Sequence, residues 1–589
     1  MSRATAAALL LLASLCVAAA DAAAAESHMP QLPATVADWA HGAQLFSGLG
    51  NFHRTVTTSS AEAQQFFDQG MRFLWAFNHD EATRSFAEAA RLDPRCAACY
   101  WGVALTVGPN YNLPAMEAVR ARVAAEALRS AQENAAGATP VERGLIAALA
   151  ARYPAADPLG PENLGAVTRA YAAAMRELAQ RFPQDLDLQT LCAEAAMNVH
   201  AWKLWSAAGE PAEGTAEIVA RLESVLRRDP YHPGANHYYI HAMEASPHPE
   251  KALAAAERLS GMMPAAGHLE HMPAHILQRL GDYEHAAEAN RRGVAADRAY
   301  LEATSPPDYY RMYLAHNYAF LAYSAAMEGR KAETLAAVQS LVTTVPPDMV
   351  LAMGDSGWAL STQYTVLVRF GLWDEAIALG VPPARAPGLT AGYLYARGVA
   401  LAARGRLEEA RAALAQLREL AATVPASTAA GFNTLPDVLA VAEPILAARI
   451  AASERHDAEA IARLQQAVLA EDKLAYNEPA DWFFPARQLF GAQLLIARRA
   501  GEAERVYRED LRRNPRNGWS LFGLAAALRA QGKAAEAARV RRELDAAWAH
   551  ADVRLQASAF WFAGVDTTSC ECQRTALVRA PLRQAADAW

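Results

Sequence analysis

The sequence predicts an all-α fold, an α-solenoid of antiparallel helical hairpins stacked in chain order. Three observations carry this expectation. The chain is 53% hydrophobic and rich in alanine, the residue that most favours helix and lets helices approach closely. Its 589 residues exceed what one ordinary core accommodates, so a repeat array or several domains must share the length. Two histidine pairs with i, i+4 spacing, His237/His241 and His271/His275, are offset by 34 residues, a period at which helical-hairpin repeats recur.

Residues 1–25 read as a secretory signal peptide. Arg3 supplies the positive start, Ala6–Ala20 the apolar run, and Ala18–Ala20 or Ala23–Ala25 a small-residue cleavage site. Leu15 in front of Cys16 argues against a lipoprotein signal. No other apolar run reaches the roughly 18–20 residues that span a bilayer. The mature chain is therefore expected to be periplasmic or secreted, with no membrane span. Residues 26–62, with Pro30, Pro33, Gly42, Gly48 and Gly50, lack periodicity and read as an N-terminal leader over the first repeat.

From Ala63 the pattern becomes helical. Gly70 and Ala82 are small where two helices should touch, Phe73 and Phe86 fill the space between them, and Pro94 stops the second helix. Residues 63–330 form the first predicted array and include the histidine-rich segment. Residues 331–470 are alanine- and leucine-rich helix with turn signals at Pro346-Pro347, Gly371, Pro382-Pro383, Gly405 and Pro436, in a weak repeat register. In 471–551 the register returns with Gly491, Leu494, Ala503, Tyr507 and Pro515, then Trp519, Phe522 and Gly523. The tail, 552–589, has no period.

These residues resemble the tetratricopeptide-repeat superfamily, with individual matches at 63–96, 233–296 and 485–548. The chain also resembles a group of exported bacterial tetratricopeptide proteins through FNHDEATRSF (77–86), GPNYN (108–112), HYYIHAMEAS (237–246), GHLEHMPAHI (267–276), HNYAF (316–320), DWFFPAR (481–487) and YREDLRRNPRNGWSLFGL (507–524). The resemblance implies a solenoid whose first helices line a concave groove for a peptide or protein partner. On it, His237, His241, His271 and His275 match groove-facing positions.

The net charge of -8 shows no basic footprint for nucleic acid and no polybasic membrane patch. Signal cleavage leaves Cys96, Cys99, Cys192, Cys570 and Cys572, too few for a disulfide scaffold. Cys96 and Cys99 read as small buried residues or a local disulfide. No phosphate loop, G-x-S-x-G elbow or dinucleotide fingerprint is present.

The chemistry concentrates between His232 and His316, which hold nine of the chain's 16 histidines. Neutral imidazole suits zinc and copper, and an i, i+4 pair places two rings on one helix face. The expected metal ligands are His237, His241, His268, His271, His275 and His316, with copper or zinc as the ion and Glu244 orienting an imidazole or a water. His271-Met-Pro-Ala-His275 lacks the glutamate of a zincin, and Pro273 is expected to kink or start its helix. His232, His248 and His285 read as turn or surface residues, and His79 as a helix cap. Asp481, Trp482 and Arg487 read as a solvated helix entry or a groove for an anionic or aromatic ligand. Two other functions fit the sequence: a scaffold binding an envelope partner in the groove, and a metal-free enzyme using a histidine base oriented by Glu244.

Overall fold

The computed structural model describes residues 32–113, 116–154, 161–304, 310–352 and 354–560, with the backbone alone at 161–163. The signal reading, Cys570, Cys572 and most of the tail lie outside these residues. The fold is all-α, a succession of helical hairpins. No described helix is long and apolar enough to cross a membrane. The chain divides into two compact units, residues 1–321 with 343–345 and residues 322–342 with 346–589.

The first unit begins with the leader, which packs along helix Ala61–Trp75. Asp68 accepts from His53 Nδ1 at 2.7 Å, and Arg72 donates to the Phe52 carbonyl. The Ser60 hydroxyl caps that helix by accepting from the Ala63 amide. The chain then reverses at Phe77 (φ 55°) and enters His79–Leu92, capped by Asn78. Asn78 rather than His79 is the cap. The His79 ring is buried, stacked on Phe77 at 5.6 Å, with neither nitrogen hydrogen-bonded among the described residues. Cys96 and Cys99 form a disulfide at the start of helix Ala97–Thr106.

One packing device recurs in both units. A Cβ on Gly70 would lie 2.6 Å from the Phe86 ring, and one on Gly102 2.5 Å from it. In the second unit, Gly491 and Gly523 stand in the same relation to Tyr507, at 2.4 and 2.1 Å. Positions 70, 86 and 102, like 491, 507 and 523, are spaced by 16 residues. The flanking helices can close on a central aromatic only where they carry no side chain, and that fixes the small–aromatic–small pattern of the repeat.

In the second unit the weakly registered middle is also built of hairpins, Pro387–Ala403 with Leu407–Thr423 and Leu435–Ser453 with Asp457–Glu471. A two-residue antiparallel ladder, Ala429–Ala430 with Asn433–Thr434, lies between them. It turns through Gly431 at φ 65° and had no sequence signal. Residues 552–560 lack a period yet are docked. Asp552 caps helix Lys331–Thr344 by accepting from the Lys331 and Ala332 amides at 2.6 and 2.8 Å. Ser558 bonds Tyr507 Oη at 2.6 Å.

Candidate metal centre

All six expected ligands converge in the first unit. Helix Pro233–Met243 carries His237 and His241, and Gly267–His271 carries His268 and His271. Pro273–Arg279 carries His275, and Arg311–Met327 carries His316. Pro273 does break the hydrogen-bonded helix, as expected. Met272 between the two segments keeps helical torsions (φ -51°, ψ -35°), so His271 and His275 still meet, with ring centroids 4.7 Å apart.

The rings form two groups, His237/His241/His268 and His271/His275/His316. Within each, one ligand nitrogen per residue lies within 4.8 Å of the others. His237, His271 and His275 are 0% exposed, His241 2% and His268 5%, while His316 is half-buried. This corrects the groove expectation, because a groove-lining residue must be reachable from solvent. Phe77 stacks over His241 and His268 at 5.6 and 5.8 Å. Tyr111 and Trp202 close on His241 at 5.3 and 5.5 Å. Trp202 takes a left-handed conformation (φ 59°), costly for an aromatic residue and tolerated only where surrounding packing enforces it.

Three of the rings are held by hydrogen bonds at Nδ1 and a fourth, His275, by an ion-pair contact there, and these partners dictate the tautomers. His237 donates Nδ1–H to the Trp75 carbonyl at 2.6 Å, one of the terminal carbonyls of helix Ala61–Trp75 that lack a partner in the helix. Asn290 donates its amide nitrogen to the Ala286 carbonyl at 2.7 Å. That turns its Oδ1 toward His271 Nδ1, 2.7 Å away, and assigns the His271 proton to Nδ1. Glu244 bridges the two groups, with Oε1 3.0 Å from His241 Nδ1 and Oε2 2.8 Å from His275 Nδ1. Burial opposes the Glu244 charge, but the His275 and His241 imidazoles beside it outweigh this and hold its carboxyl down at about 2.

Each anchored imidazole, while neutral, therefore presents an unprotonated Nε2 to the pocket. The His271 and His275 Nε2 atoms face each other at 2.9 Å. Two lone pairs at that distance repel, and a cation among them, a proton or a metal ion, removes the conflict. A histidine tethered through one nitrogen to a carboxylate or carbonyl while the other faces a common point is the arrangement that metal-binding imidazoles adopt. Burial, then neighbouring imidazoles, pushes the pKa values of His237, His268 and His271 well below the ordinary range. Neutral rings are the ligating form.

His79, outside this set, is also pushed down, to about 3, by burial and then by Arg120 and Arg152. A lowered folded-state value means that the unfolded chain binds the proton more readily. The stability is therefore complete above pH 6.5 and is lost as pH falls from there toward 3. His79 alone is expected to cost about 2 kcal/mol between pH 6.5 and 5, at about 1.4 kcal/mol per pH unit. Denaturant unfolding of the metal-free protein at the two pH values measures this, and His79→Phe should flatten the dependence. An unchanged slope in that variant would contradict the assignment.

The remaining sequence candidates are structural. His232 is buried rather than a surface residue. It caps helix Pro233–Met243 through the Ala235 amide and places Nε2 3.0 Å from Asp187. His248 and His285 are exposed, as expected. Arg487 pairs with Asp472 at 2.6 Å, and Asp481 accepts from Asn433 and Asn477, both at 2.7 Å. These bonds hold a helix entry together. Asn290, Phe77, Tyr111, Trp202 and the Trp75 carbonyl were not anticipated as parts of the site. Tyr111 lies in the GPNYN segment and Asn290 at a repeat position, which are the only sequence signals they carry.

No protein-family model matches the chain, and no curated protein does. Among solved structures it is similar to the human IFIT1 dimer with m7Gppp-AAAA, at 12% identity over 77% of this chain and 90% of that one, TM-score 0.32. It is also similar to yeast Tom70, at 13% identity over 82% and 91% of the two chains, TM-score 0.27. The architecture described above rests on this chain's own helix pairs.

Proposed function

We propose that the histidine pocket binds a transition metal, copper or zinc, and that the protein serves metal handling or metal-dependent chemistry as an exported helical-repeat protein. The observation that carries this reading is the set of Nδ1 tethers. They turn the unprotonated Nε2 atoms of His237, His241, His271 and His275 inward and bring two of them to 2.9 Å. His268 and His316 complete the donor sets. Protons compete with the metal for these nitrogens, so binding should weaken as pH falls.

The alternative, a scaffold whose histidines contact a peptide, loses support from the burial of five of the six rings. A bound chain could not reach them. The test is elemental analysis of protein purified without chelators or a histidine tag. The wild type is expected to carry near-stoichiometric copper or zinc, and His237→Ala/His271→Ala to lose it. Absence of metal from the wild type, with none taken up on addition, would refute the reading.

A further inference from the structure

Resting on the metal reading, we propose that the pocket is a two-ion centre, with one cuprous ion in each three-histidine group and Glu244 linking the two. The sequence offset and the geometry make the same division. His237 and His241 recur 34 residues later as His271 and His275. Each pair gains its third ring from a following helix, His268 for the first and His316 for the second. The repeat has duplicated the pair but not the third ring, since His268 and His316 lie 48 residues apart.

The ligand nitrogens carry this division, lying within 4.8 Å of one another inside each triad. His237 has its histidine contacts within the first group, at 4.9 Å from both His241 and His268. His316 has its own within the second, at 4.8 Å from His271 and 5.7 Å from His275. Among the described ring pairs the groups adjoin through His241 with His275 at 5.8 Å and His268 with His271 at 5.9 Å, about the separation of His241 and His268 within the first group, 5.9 Å. Imidazole nitrogens bind first-row ions at about 2.0–2.1 Å, so opposed donors of one ion stand about 4.2 Å apart at most. Each triad reaches that condition by small ring rotations, whereas gathering all six around one ion would pull apart the Nδ1 tethers. Glu244 meets one ring of each group through a different oxygen, at 3.0 and 2.8 Å, so loading one group shifts the tether of the other.

Charge narrows the choice of ion. The ring donors are neutral and Glu244 supplies the carboxylate that meets both groups, so two monovalent ions leave less unbalanced buried charge than two divalent ions, and such charge is heavily penalised. Three imidazoles also suit copper.

The experiment is an anaerobic titration of metal-free protein with cuprous ion, and separately with zinc, counting bound metal after desalting. Two equivalents of copper are expected in the wild type. His237→Ala/His268→Ala and His271→Ala/His316→Ala are each expected to retain one. Circular dichroism checks the fold, and His268→Gln and His316→Gln, which alter only the third ring of each group, stand in if a double variant does not fold. One equivalent in the wild type, abolished by either variant, would overturn the two-ion proposal while leaving metal binding intact. Uptake of zinc without cuprous ion would overturn the choice of metal, and uptake of neither would overturn both readings.

Discussion

Glu244→Ala is expected to weaken metal binding by about 10–100-fold, the usual effect of removing the partner that orients a ligating histidine, and to destabilise the protein. Glu244 is 1% exposed and serves two rings. Its removal takes the acceptor from the buried His241 N–H, at about 1–3 kcal/mol, and the ion-pair contact from His275. The total should approach the loss of about 3–5 kcal/mol seen when one side of a buried charged network is deleted. Glu244→Gln offers one carbonyl oxygen and turns an amide toward the second ring, so it should fall between the wild type and alanine in affinity. Competition with a chelator of known affinity gives the first quantity and denaturant unfolding the second. Affinity unchanged in the alanine variant would show that Glu244 does not orient the ligands.

Phe77→Ala should cost about 3–5 kcal/mol as a large-to-small change in a packed interior. Phe77 is 1% exposed and lies against His79, His237, Tyr238, His241 and His268 at 4.5–5.8 Å between ring centroids. It also forms the hairpin reversal with a positive φ, so alanine gains little from backbone relief. The cavity would open the first histidine group to water, and chelator-driven loss of metal should quicken. Phe77→Leu, which fills most of the volume, should recover much of the stability. Equal stabilities of the alanine variant and the wild type would contradict the packing described here.

The solenoid was legible because helical period, small–aromatic–small spacing and proline stops are local features, and Gly70, Phe86 and Gly491 state them directly. The ligand set was legible for a related reason. An i, i+4 pair repeated after 34 residues specifies a face and a neighbour, and His268 and His316 are one turn or one repeat away. Glu244 could be named because it continues the His237–His241 face. The other tethers could not. A carbonyl such as that of Trp75 has no sequence identity, and Asn290 also satisfies a repeat position. Closure was illegible because Phe77, Tyr111 and Trp202 reach the histidines from distant parts of the chain. Without them the histidines read as groove-lining residues. His232 was misplaced for a similar reason, since the acid that buries it, Asp187, lies in an earlier helix.

The central claim is that inward-facing imidazole nitrogens are metal ligands. X-ray absorption at the edge of the metal carried by the purified protein tests it most directly. The expected spectrum has nitrogen neighbours at about 2.0–2.1 Å with the outer-shell scattering of imidazole rings. A first shell of sulfur, or of oxygen without imidazole scattering, would place the metal elsewhere and contradict the account.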